Sequence, residues 1–560
     1  MGTIAIFYIR FKSNIMRTPL LFLLLAILVA GCKAKKTAGL LIYNATIYTV
    51  DSQFNKAEAM AIQDGKILAT GTLAELTGSY SFKDSLNAEG KFVYPGLIDA
   101  HAHFAGYAQS LTEINLFNTN SWDSIVQRVS SYQSPTGDTS GWIVGRGWDQ
   151  NDWPVKTFPS NEMLNARFPD RPVYLVRIDG HAAIANNKAL ELAGVKAGDT
   201  INGGEFVTHN GKLTGVLVDN AMDKVANHIP APADKDFEQS LQLAQQNCFA
   251  SGLTTIHDCG LNHEVVEKIQ SFQEKGSLKM RLFVLLSDAK KNYDYLTQRG
   301  SIKTDRLKVS GFKLYGDGAL GSRGACLLKD YSDKPGWKGF LLSGATHFDS
   351  MAALIIKNKW QMCTHAIGDS GNRVLLNIYA KYLKGDNDLR WRIEHAQVVN
   401  ENDFHYFGDY KIIPSVQPTH ATSDMYWAGD RLGKDRLKGA YAYQQLLQQN
   451  GWIPLGTDFP VEDISPFKTF YAAVIRKDEK GFPAGGFQME NALTREQALR
   501  GMTIWAARSA FEELEKGSLE AGKLADFIIL DQDIMTAPEQ SLLHTRVLKT
   551  FLNGELVYSR

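Results

Sequence analysis

The sequence has no excess of charge of either sign, since 60 Lys and Arg residues face 60 Asp and Glu residues among 560. No basic stripe stands out along the chain, so nucleic acid is not an expected partner. Cysteine is scarce: five residues without a CxxC pair exclude a disulfide scaffold and a redox dithiol. With 44% hydrophobic and 21% charged residues, a disordered protein is excluded too. A chain of this length should fold into two parts, or into one large barrel with additions.

The apolar run near the start, Leu20 to Val29, is shorter than the about 20 residues that a bilayer core requires. A basic start, a short apolar stretch and small residues predict a secretory signal peptide. The end of this stretch, Leu28-Val-Ala-Gly-Cys32, resembles the bacterial lipobox, in which the cysteine is lipidated. We expect residues 1–38 to be leader and tether of an exported lipoprotein of a bacterial cell envelope, anchored to the membrane at Cys32. The alternative is an uncleaved anchor beginning at Met1.

Short β-rich segments at both chain ends frame a stretch in which strands and helices alternate. Asp64-Gly65 and Asn553-Gly554 mark hairpins, so residues 39–93 and 511–560 are expected to form one small β-sandwich domain. Between them, eight short apolar strands predict an α/β fold, a (β/α)₈ TIM-type barrel over residues 94–510 with an insertion at about 104–248. The expected barrel strands are Phe92–Ile98, Thr254–His257, Arg281–Leu286, Val309–Tyr315, Gln361–His365, Arg392–Glu394, Ile412–Val416 and Ile453–Gly456.

Histidine and aspartate residues stand at the ends of several expected strands. His101 and His103 are separated by two positions, and such residues of an extended chain share one face. His365, His395 and Asp458 end three later strands. Because the carboxyl ends of barrel strands meet at one mouth, these side chains should converge. Ligands of this kind suit zinc or another first-row metal.

Lys313 lies in the apolar segment Val309-Ser-Gly-Phe-Lys-Leu-Tyr315, where a buried ammonium is costly. Beside a divalent cation, a neutral or carboxylated lysine is favoured, and a carbamate on Lys313 could bridge two metals. The alternative is a lysine whose head reaches solvent or pairs with Asp317.

Four further residues are candidates for contact with a substrate: His181, Asp149, Arg323 and Gln417. His181 follows an expected inserted strand, Asp149 lies in a Trp-rich loop, and Arg323 and Gln417 follow the fourth and seventh barrel strands. Structural ion pairs are the alternative for Asp149 and Arg323. The segment Gly316–Gly321 matches GxGxxG, but the Gly-, Pro- and Asp-rich sequence after it does not predict the helix that a dinucleotide site requires.

Several motifs together resemble the amidohydrolase superfamily: PGLIDAHAH (95–103), the strand-four lysine, the later single histidines, Thr457-Asp458 and Gly522-Lys-Leu-Ala-Asp-Phe. More narrowly, GWDQ (147–150), DGH (179–181), NKAL (187–190) and KLYGDG (313–318) resemble the YtcJ-like (amidohydrolase 3) branch, which is related to N-substituted formamide deformylases. The resemblance covers roughly Leu40 to Arg560. It implies two divalent ions, with zinc expected: His101, His103 and Asp458 on one, His365 and His395 on the other, and carboxylated Lys313 as the bridge.

The resemblance also implies hydrolysis of carbon–nitrogen bonds other than peptide bonds, with a small-molecule amide, formamide or cyclic amide as substrate. A metal-activated hydroxide would attack the carbonyl while the second metal stabilises the oxyanion. Asp458 would carry the proton from water to the leaving nitrogen. One alternative is an ester or lactone hydrolase of the same fold, since the same nucleophile attacks each carbonyl; another is a surface binding protein that has lost catalysis. The chain could form an oligomer.

Overall fold

The structure of the protein is a computed structural model that describes residues 35–132 and 141–560, together with positions 1, 2, 5 and 8. The expected signal segment and Cys32 lie outside these residues, so export and lipid attachment stay predictions. Within the described ranges, no helix is both long and apolar enough to cross a bilayer.

Strands from both ends of the chain share one eight-stranded sheet, here called the terminal sheet. Strand Tyr80–Pro95 pairs in parallel with Lys36–Tyr48 and antiparallel with Phe527–Leu530. Apolar residues of both chain ends, Ile42 and Phe527 among them, form one buried core. The strands are Lys36–Tyr48, Lys56–Ala57, Ala59–Gln63, Lys66–Gly71, Tyr80–Pro95, Phe527–Leu530, Val547–Leu552 and Glu555–Ser559. The expected small β domain is therefore present, whereas the exact domain limits stay predictions.

The central sheet is a barrel of parallel strands that follow one another in chain order. Leu455 closes it, because this residue pairs with Val416 on one side and its carbonyl accepts from the backbone nitrogen of Ala100 at 3.1 Å on the other. The strands are apolar and mostly buried, as parallel strands covered on both faces should be. They are Leu97–Ala102, Leu253–Leu261, Arg281–Ser287, Leu307–Tyr315, Gln361–Ala366, Arg392–His395 and Ile413–Ser415, with Ile302–Lys303 added antiparallel. The predicted α/β barrel is confirmed.

The first barrel strand begins later than predicted. Phe92 to Pro95 belong to the terminal sheet, where Phe527–Leu530 pairs with them residue by residue. The chain passes between the two sheets at Gly96, where a Cβ would lie 2.4 Å from Thr254 Oγ1. Because the sequence is apolar on both sides of Gly96, hydrophobicity alone did not separate the two strands.

The insertion folds around its own six-stranded sheet, here called the insertion sheet. Trp148 and Trp153 lie in its core, and Trp148 Nε1 donates to the carbonyl of Leu175 at 2.8 Å. The strands are Ile114–Asn115, Ile143–Trp148, Val173–Arg177, Ala182–Ala185, Gly204–His209 and Lys212–Asp219.

Helices fill the connections, and two of them begin with a capping box, Thr72 with Glu75 and Thr494 with Gln497. The α-helices are Leu73–Ser79, Phe104–Ser110, Trp122–Ser131, Glu162–Arg167, Asn187–Leu192, Asn220–Ala226, Asp234–Ala250, His263–Glu274, Lys290–Arg299, Ala345–Lys357, Asp369–Tyr382, His405–Asp409, Pro418–Asp424, Ala428–Leu437, Tyr443–Asn450, Pro466–Ile475, Arg495–Gly501 and Ile504–Ser509. Short 3₁₀ helices are Gln150–Asp152, Met489–Asn491 and Glu539–His544.

Candidate metal centre

Hydrogen bonds tie the first barrel strand to the eighth at the mouth of the barrel. Asp99 accepts from the backbone nitrogens of His101 (3.1 Å) and Thr457 (3.0 Å) and from the Thr457 hydroxyl (2.7 Å). The backbone nitrogen of Asp458 donates to the carbonyl of His101 at 2.8 Å. A Cβ on Gly456 would lie 2.5 Å from the backbone nitrogen of His101, so only glycine permits this approach. These contacts fix His101 and Asp458 side by side.

Two candidate ligands have a backbone conformation that L-residues rarely adopt. His395 has φ +73° and Asp458 has φ +66°. Such a conformation costs on the order of 1–3 kcal/mol and persists only where the surroundings impose it. Hydrogen bonds to the first barrel strand hold the backbone of Asp458. His395 ends the buried strand Arg392–His395, which holds its backbone. Strain of this kind is frequent at functional sites.

The structure brings together the six residues predicted to hold metal: His101, His103, Lys313, His365, His395 and Asp458. Oδ1 of Asp458 lies 3.2 Å from His103 Nε2 and 3.6 Å from His101 Nε2. The Lys313 ammonium lies 3.2 Å from the same nitrogen of His101.

The two later histidines complete the group. The ring centroid of His395 lies 4.8 Å from that of His101 and 4.5 Å from that of His365. Nε2 of His365 is also 3.5 Å from the carbonyl of Gly318. The predicted convergence at one mouth is therefore present, while the role of each residue as a metal ligand stays a prediction.

The donor set of this cluster fits a divalent metal. The ligand atoms of His101, His395 and Asp458 lie within 4.8 Å of one another. Among the described residues, His395 Nδ1 is buried without a hydrogen-bond partner, and such an atom is costly unless a ligand satisfies it. Imidazole nitrogen and carboxylate oxygen are ligands that zinc accepts. A second triplet, His101 with Cys259 and Glu394, is equally close, but its Glu394 already binds Nδ1 of His101.

The environment favours the neutral form of His101, His365 and His395 and the charged form of Asp458. Burial, with the charge of Lys313 adding to it, lowers the pKa of His101 to about 4. Burial also lowers the pKa values of His365 and His395 well below the ordinary range. Burial would raise the pKa of Asp458, but hydrogen bonds from His103 and His420 outweigh it and hold that pKa well below its usual value. Neutral imidazole and carboxylate are the forms that bind a metal.

Lys313 differs from the expectation for a buried lysine. Burial would lower its pKa, but nearby groups, first Tyr315 and Cys259 and then Glu394 and Asp458, outweigh burial and raise it. The chain by itself thus holds Lys313 as an ammonium, and carboxylation of its nitrogen stays a prediction.

Glu394 is a functional residue that sequence reasoning did not select. Its Oε2 lies 2.6 Å from His101 Nδ1. Burial would raise the pKa of Glu394, but His101, followed by Arg392 and Lys313, lowers it to about 2. A carboxylate that holds the proton on Nδ1 leaves Nε2 of His101 for the metal. An acid inside the apolar strand before His395 was the available signal.

A cavity that is partly open to solvent lies above the cluster. The insertion supplies part of its wall, including His181 and Asp149, whose contact with a substrate stays a prediction. Asp149 is already ion-paired with Arg177. His420, which is not among the predicted site residues, lines the cavity and places Nε2 3.2 Å from Asp458 Oδ2.

The other two residues that were predicted to contact a substrate are not among the residues that line this cavity, and their contact with a substrate stays a prediction. In the described part of the chain, Arg323 and Gln417 do not line the cavity. The guanidinium of Arg323 is ion-paired with Asp333 at 2.8 Å. Gln417 is 1% exposed, and its Nε2 donates to the carbonyl of Ser415 at 3.2 Å. The partners of both side chains are thus structural, which the spacing along the sequence does not reveal.

Comparison with known proteins agrees with this geometry. The amidohydrolase family model matches residues 84–558. Protein LONG AFTER FAR-RED 3 of Arabidopsis thaliana is 32% identical over 539 residues, which cover 93% of this chain and 92% of the relative. The N-substituted formamide deformylase of Arthrobacter pascens is 25% identical over 549 residues, which cover 93% and 98% of the two chains.

A solved structure shows the same architecture. An uncharacterized metal-dependent hydrolase from Pyrococcus horikoshii OT3 matches with a TM-score of 0.71 and 27% identity, covering 89% of this chain and 99% of that one. The motifs, the barrel and the family model all lead to one assignment, and the resemblance seen in the motifs is confirmed: this chain belongs to the amidohydrolase family.

Proposed function

We propose that this chain is a metal-dependent hydrolase that cleaves a carbon–nitrogen bond, other than a peptide bond, in a small-molecule amide. The observation that carries the proposal is the cluster of His101, His395 and Asp458, of which His395 and Asp458 line the cavity and Nδ1 of His395 is buried without a partner. The similarity to the Arthrobacter deformylase supports formamides and related amides as the first substrates to test.

His101, His103 and Asp458 would hold one divalent ion, and His365 and His395 a second, with zinc the expected element and carboxylated Lys313 shared between them. Bound metal would supply a Lewis acid that polarises the carbonyl and lowers the pKa of water.

Side chains next to the metal residues would carry out the proton transfer. His420 binds Oδ2 of Asp458 and is itself braced by Glu462, 3.0 Å from its Nδ1. Oδ1 of Asp458 faces His101 and His103, and His103 Nε2 lies 3.2 Å from it. Asp458 would take a proton from the attacking water and return it to the leaving nitrogen.

The test combines metal analysis of the purified protein with a substrate panel of N-acyl amines, formamides and hydantoins, and with esters and lactones as the rival class. We expect amide hydrolysis that is lost on chelation and restored by Zn²⁺. Asp458→Asn should lose activity, whereas Asp409→Asn, at an exposed helix end, should keep it. Full activity without metal would contradict the proposal, and cleavage of esters but of no amide would favour the rival.

We also propose that the protein is exported and anchored by a lipid on Cys32. This proposal rests on the segment Leu28–Cys32 alone, and labelling with a fatty-acid analogue tests it.

A further inference from the structure

The insertion sheet presents an arginine to a cavity beside the predicted metal residues. Neighbouring residues of a strand point to opposite faces of a sheet. The first and last residues of the strand Ile143–Trp148 belong to the buried core of the insertion. Val144 and Arg146 lie on the other face, where they line a second cavity, here called the side cavity, together with His103. A cationic side chain of the insertion is therefore placed next to the mouth of the barrel.

The guanidinium of Arg146 has few partners within the protein. Of its N–H groups, Nη2 donates to the carbonyl of Ile178 at 3.1 Å, and no other hydrogen bond of this side chain is formed within the described ranges. Nε is buried without a partner. A Cβ on Gly180 would lie 3.1 Å from Nη2, so this glycine makes room for the guanidinium. A charged group withdrawn from water is costly unless an opposite charge and hydrogen bonds compensate it.

The carboxylates of the side cavity do not supply that compensation. In the described part of the chain, none of them forms an ion pair with Arg146. Three carboxylates line the side cavity. Glu113 accepts a side-chain hydrogen bond at 3.0 Å, Asp258 accepts from a backbone nitrogen at 2.9 Å, and Asp223 is exposed to solvent. The lysine of the lining, Lys268, is ion-paired at 2.6 Å with an aspartate outside it.

A tyrosine hydroxyl adds a second donor on the same face of the insertion sheet. Tyr174 pairs with Val144, two residues before Arg146, and it lines the side cavity as well. Within the described ranges its hydroxyl has no hydrogen-bond partner. Apolar side chains such as Val144 and Val176 surround these two polar groups. The face thus carries hydrogen-bond donors and a positive charge on an otherwise apolar wall.

This combination of donors matches a carboxylate. The planar guanidinium of arginine stays charged and binds a carboxylate through two parallel hydrogen bonds. A single negative charge fits better than the two of a phosphate monoester, because the three carboxylates of the lining repel a dianion more strongly.

We propose that Arg146 binds a carboxylate of the substrate, with the hydroxyl of Tyr174 as a further donor. The inference rests on the proposed function and deepens it, because it names the substrate class: amides that carry a carboxylate, such as N-formyl and other N-acyl amino acids. The side cavity and the cavity above the metal cluster meet at His103, which lines both. Arg146 determines specificity, while the bond is broken at the metal residues.

The experiment compares N-formyl and N-acetyl ω-amino acids of increasing chain length, beginning with the glycine derivatives, with their primary carboxamides. The carboxamide keeps the size of the carboxylate and removes its charge, and release of formate or acetate is measured. At the chain length that spans the two cavities, we expect the wild type to prefer the acid by about 10- to 100-fold in kcat/KM. The difference should lie in KM, because the carboxylate does not change during the reaction.

Variants of the two donors test the assignment. Arg146→Gln should bring the ratio of kcat/KM for acid and carboxamide close to one, through a loss on the acids alone. Arg146→Lys, which keeps the charge but not the planar fork, should retain part of the preference. Tyr174→Phe should cost about 2- to 10-fold on the acids and leave the carboxamides unchanged. The last two variants keep the test independent of the folding of Arg146→Gln.

Two further variants check the role of charge. Glu113→Gln removes a negative charge from the same lining, so it should lower KM for the acids, in the direction opposite to Arg146→Gln. Arg167→Gln is the matched control, because it makes the same substitution at an exposed arginine of the insertion, and it should leave the ratio unchanged.

The outcomes separate this inference from the proposed function. A wild type that shows no preference for the acids at any chain length, or folded Arg146→Gln protein that keeps the wild-type ratio, overturns the inference and leaves amide hydrolysis standing. Equal losses on acids and carboxamides in folded Arg146→Gln also overturn it, because Arg146 would then only support the carbonyl of Ile178. Cleavage of other amides but of neither series overturns the inference alone. A wild type that cleaves no amide refutes the proposed function, and this inference with it.

Discussion

Replacing Glu394 by glutamine tests how the metal centre is held. The pKa of Glu394 falls from an ordinary 4.5 to about 2, which means that its surroundings favour the carboxylate by about 3 kcal/mol over the protonated acid. Glutamine keeps the volume and removes this charge. It also removes the anion that holds the proton on Nδ1 of His101, 2.6 Å away. His101 then loses the single tautomer that presents Nε2 to the metal.

The loss of such a partner behind a ligating histidine costs about 10- to 100-fold in metal affinity, or about 1.4–2.8 kcal/mol. The assay is a competition titration of metal-free protein with Zn²⁺ and a chelating indicator, together with thermal unfolding of the loaded form. Asp288→Asn is the matched control, because it removes a partly buried carboxylate 2.7 Å from His347, a histidine outside the predicted metal residues. Folded Glu394→Gln protein with the affinity and activity of the wild type would refute the reasoning.

Three further predictions concern the bridge, the acid response and the anchor. Lys313→Ala should fold but bind less metal and lose activity by orders of magnitude, and short carboxylic acids should restore part of the activity. Metal analysis together with activity assays tests this prediction. Near-normal activity with two bound metals would exclude the bridging role of Lys313. As the pH falls from about 6.5 to about 4, the free energy of unfolding of the metal-free protein should fall, because the unfolded chain takes up a proton at His101 that the folded chain does not. For this residue alone the loss approaches about 3 kcal/mol. A free energy of unfolding, measured with urea, that stays constant across this pH range would contradict the prediction. Cys32→Ser should abolish lipid attachment and leave hydrolysis by the barrel unchanged; membrane fractionation that still finds acylated protein would disprove the lipobox interpretation.

Much of the barrel could be predicted because its strands are short, apolar and followed by helices. The start of the first strand could not be predicted, because the apolar segment from Phe92 to Pro95 is compatible with a strand in either sheet. Pairing with Phe527–Leu530 assigns this segment to the terminal sheet. The eighth strand could be predicted from Ile453–Gly456, although an isolated bridge and single backbone hydrogen bonds, and not a continuous ladder, join it to the neighbouring strands.

For the site too, the sequence predicts where a residue lies but not which residue its side chain contacts. Arg323 and Asp149 are both charged residues near the expected mouth, yet the partner of each is set by a distant segment. Asp333 takes the Arg323 side chain away from the cavity, whereas Asp149 stays in the wall beside Arg177. The sequence predicts at which end of a strand a residue lies. The direction of a long side chain, however, depends on the residue with which it pairs.

The sequence by itself determined which residue types stand at the ends of the barrel strands, because strand periodicity and strand order are local properties. His101, His365, His395 and Asp458 could therefore be placed at one mouth before any coordinates. Tertiary structure alone decided which atoms face one another: Glu394 behind His101, His420 on Asp458, and Asp219 beneath His181. Residues of these pairs stand 38 or more positions apart, and hydrogen bonds between such residues depend on how distant strands pair within the barrel and within the insertion, which no local pattern encodes.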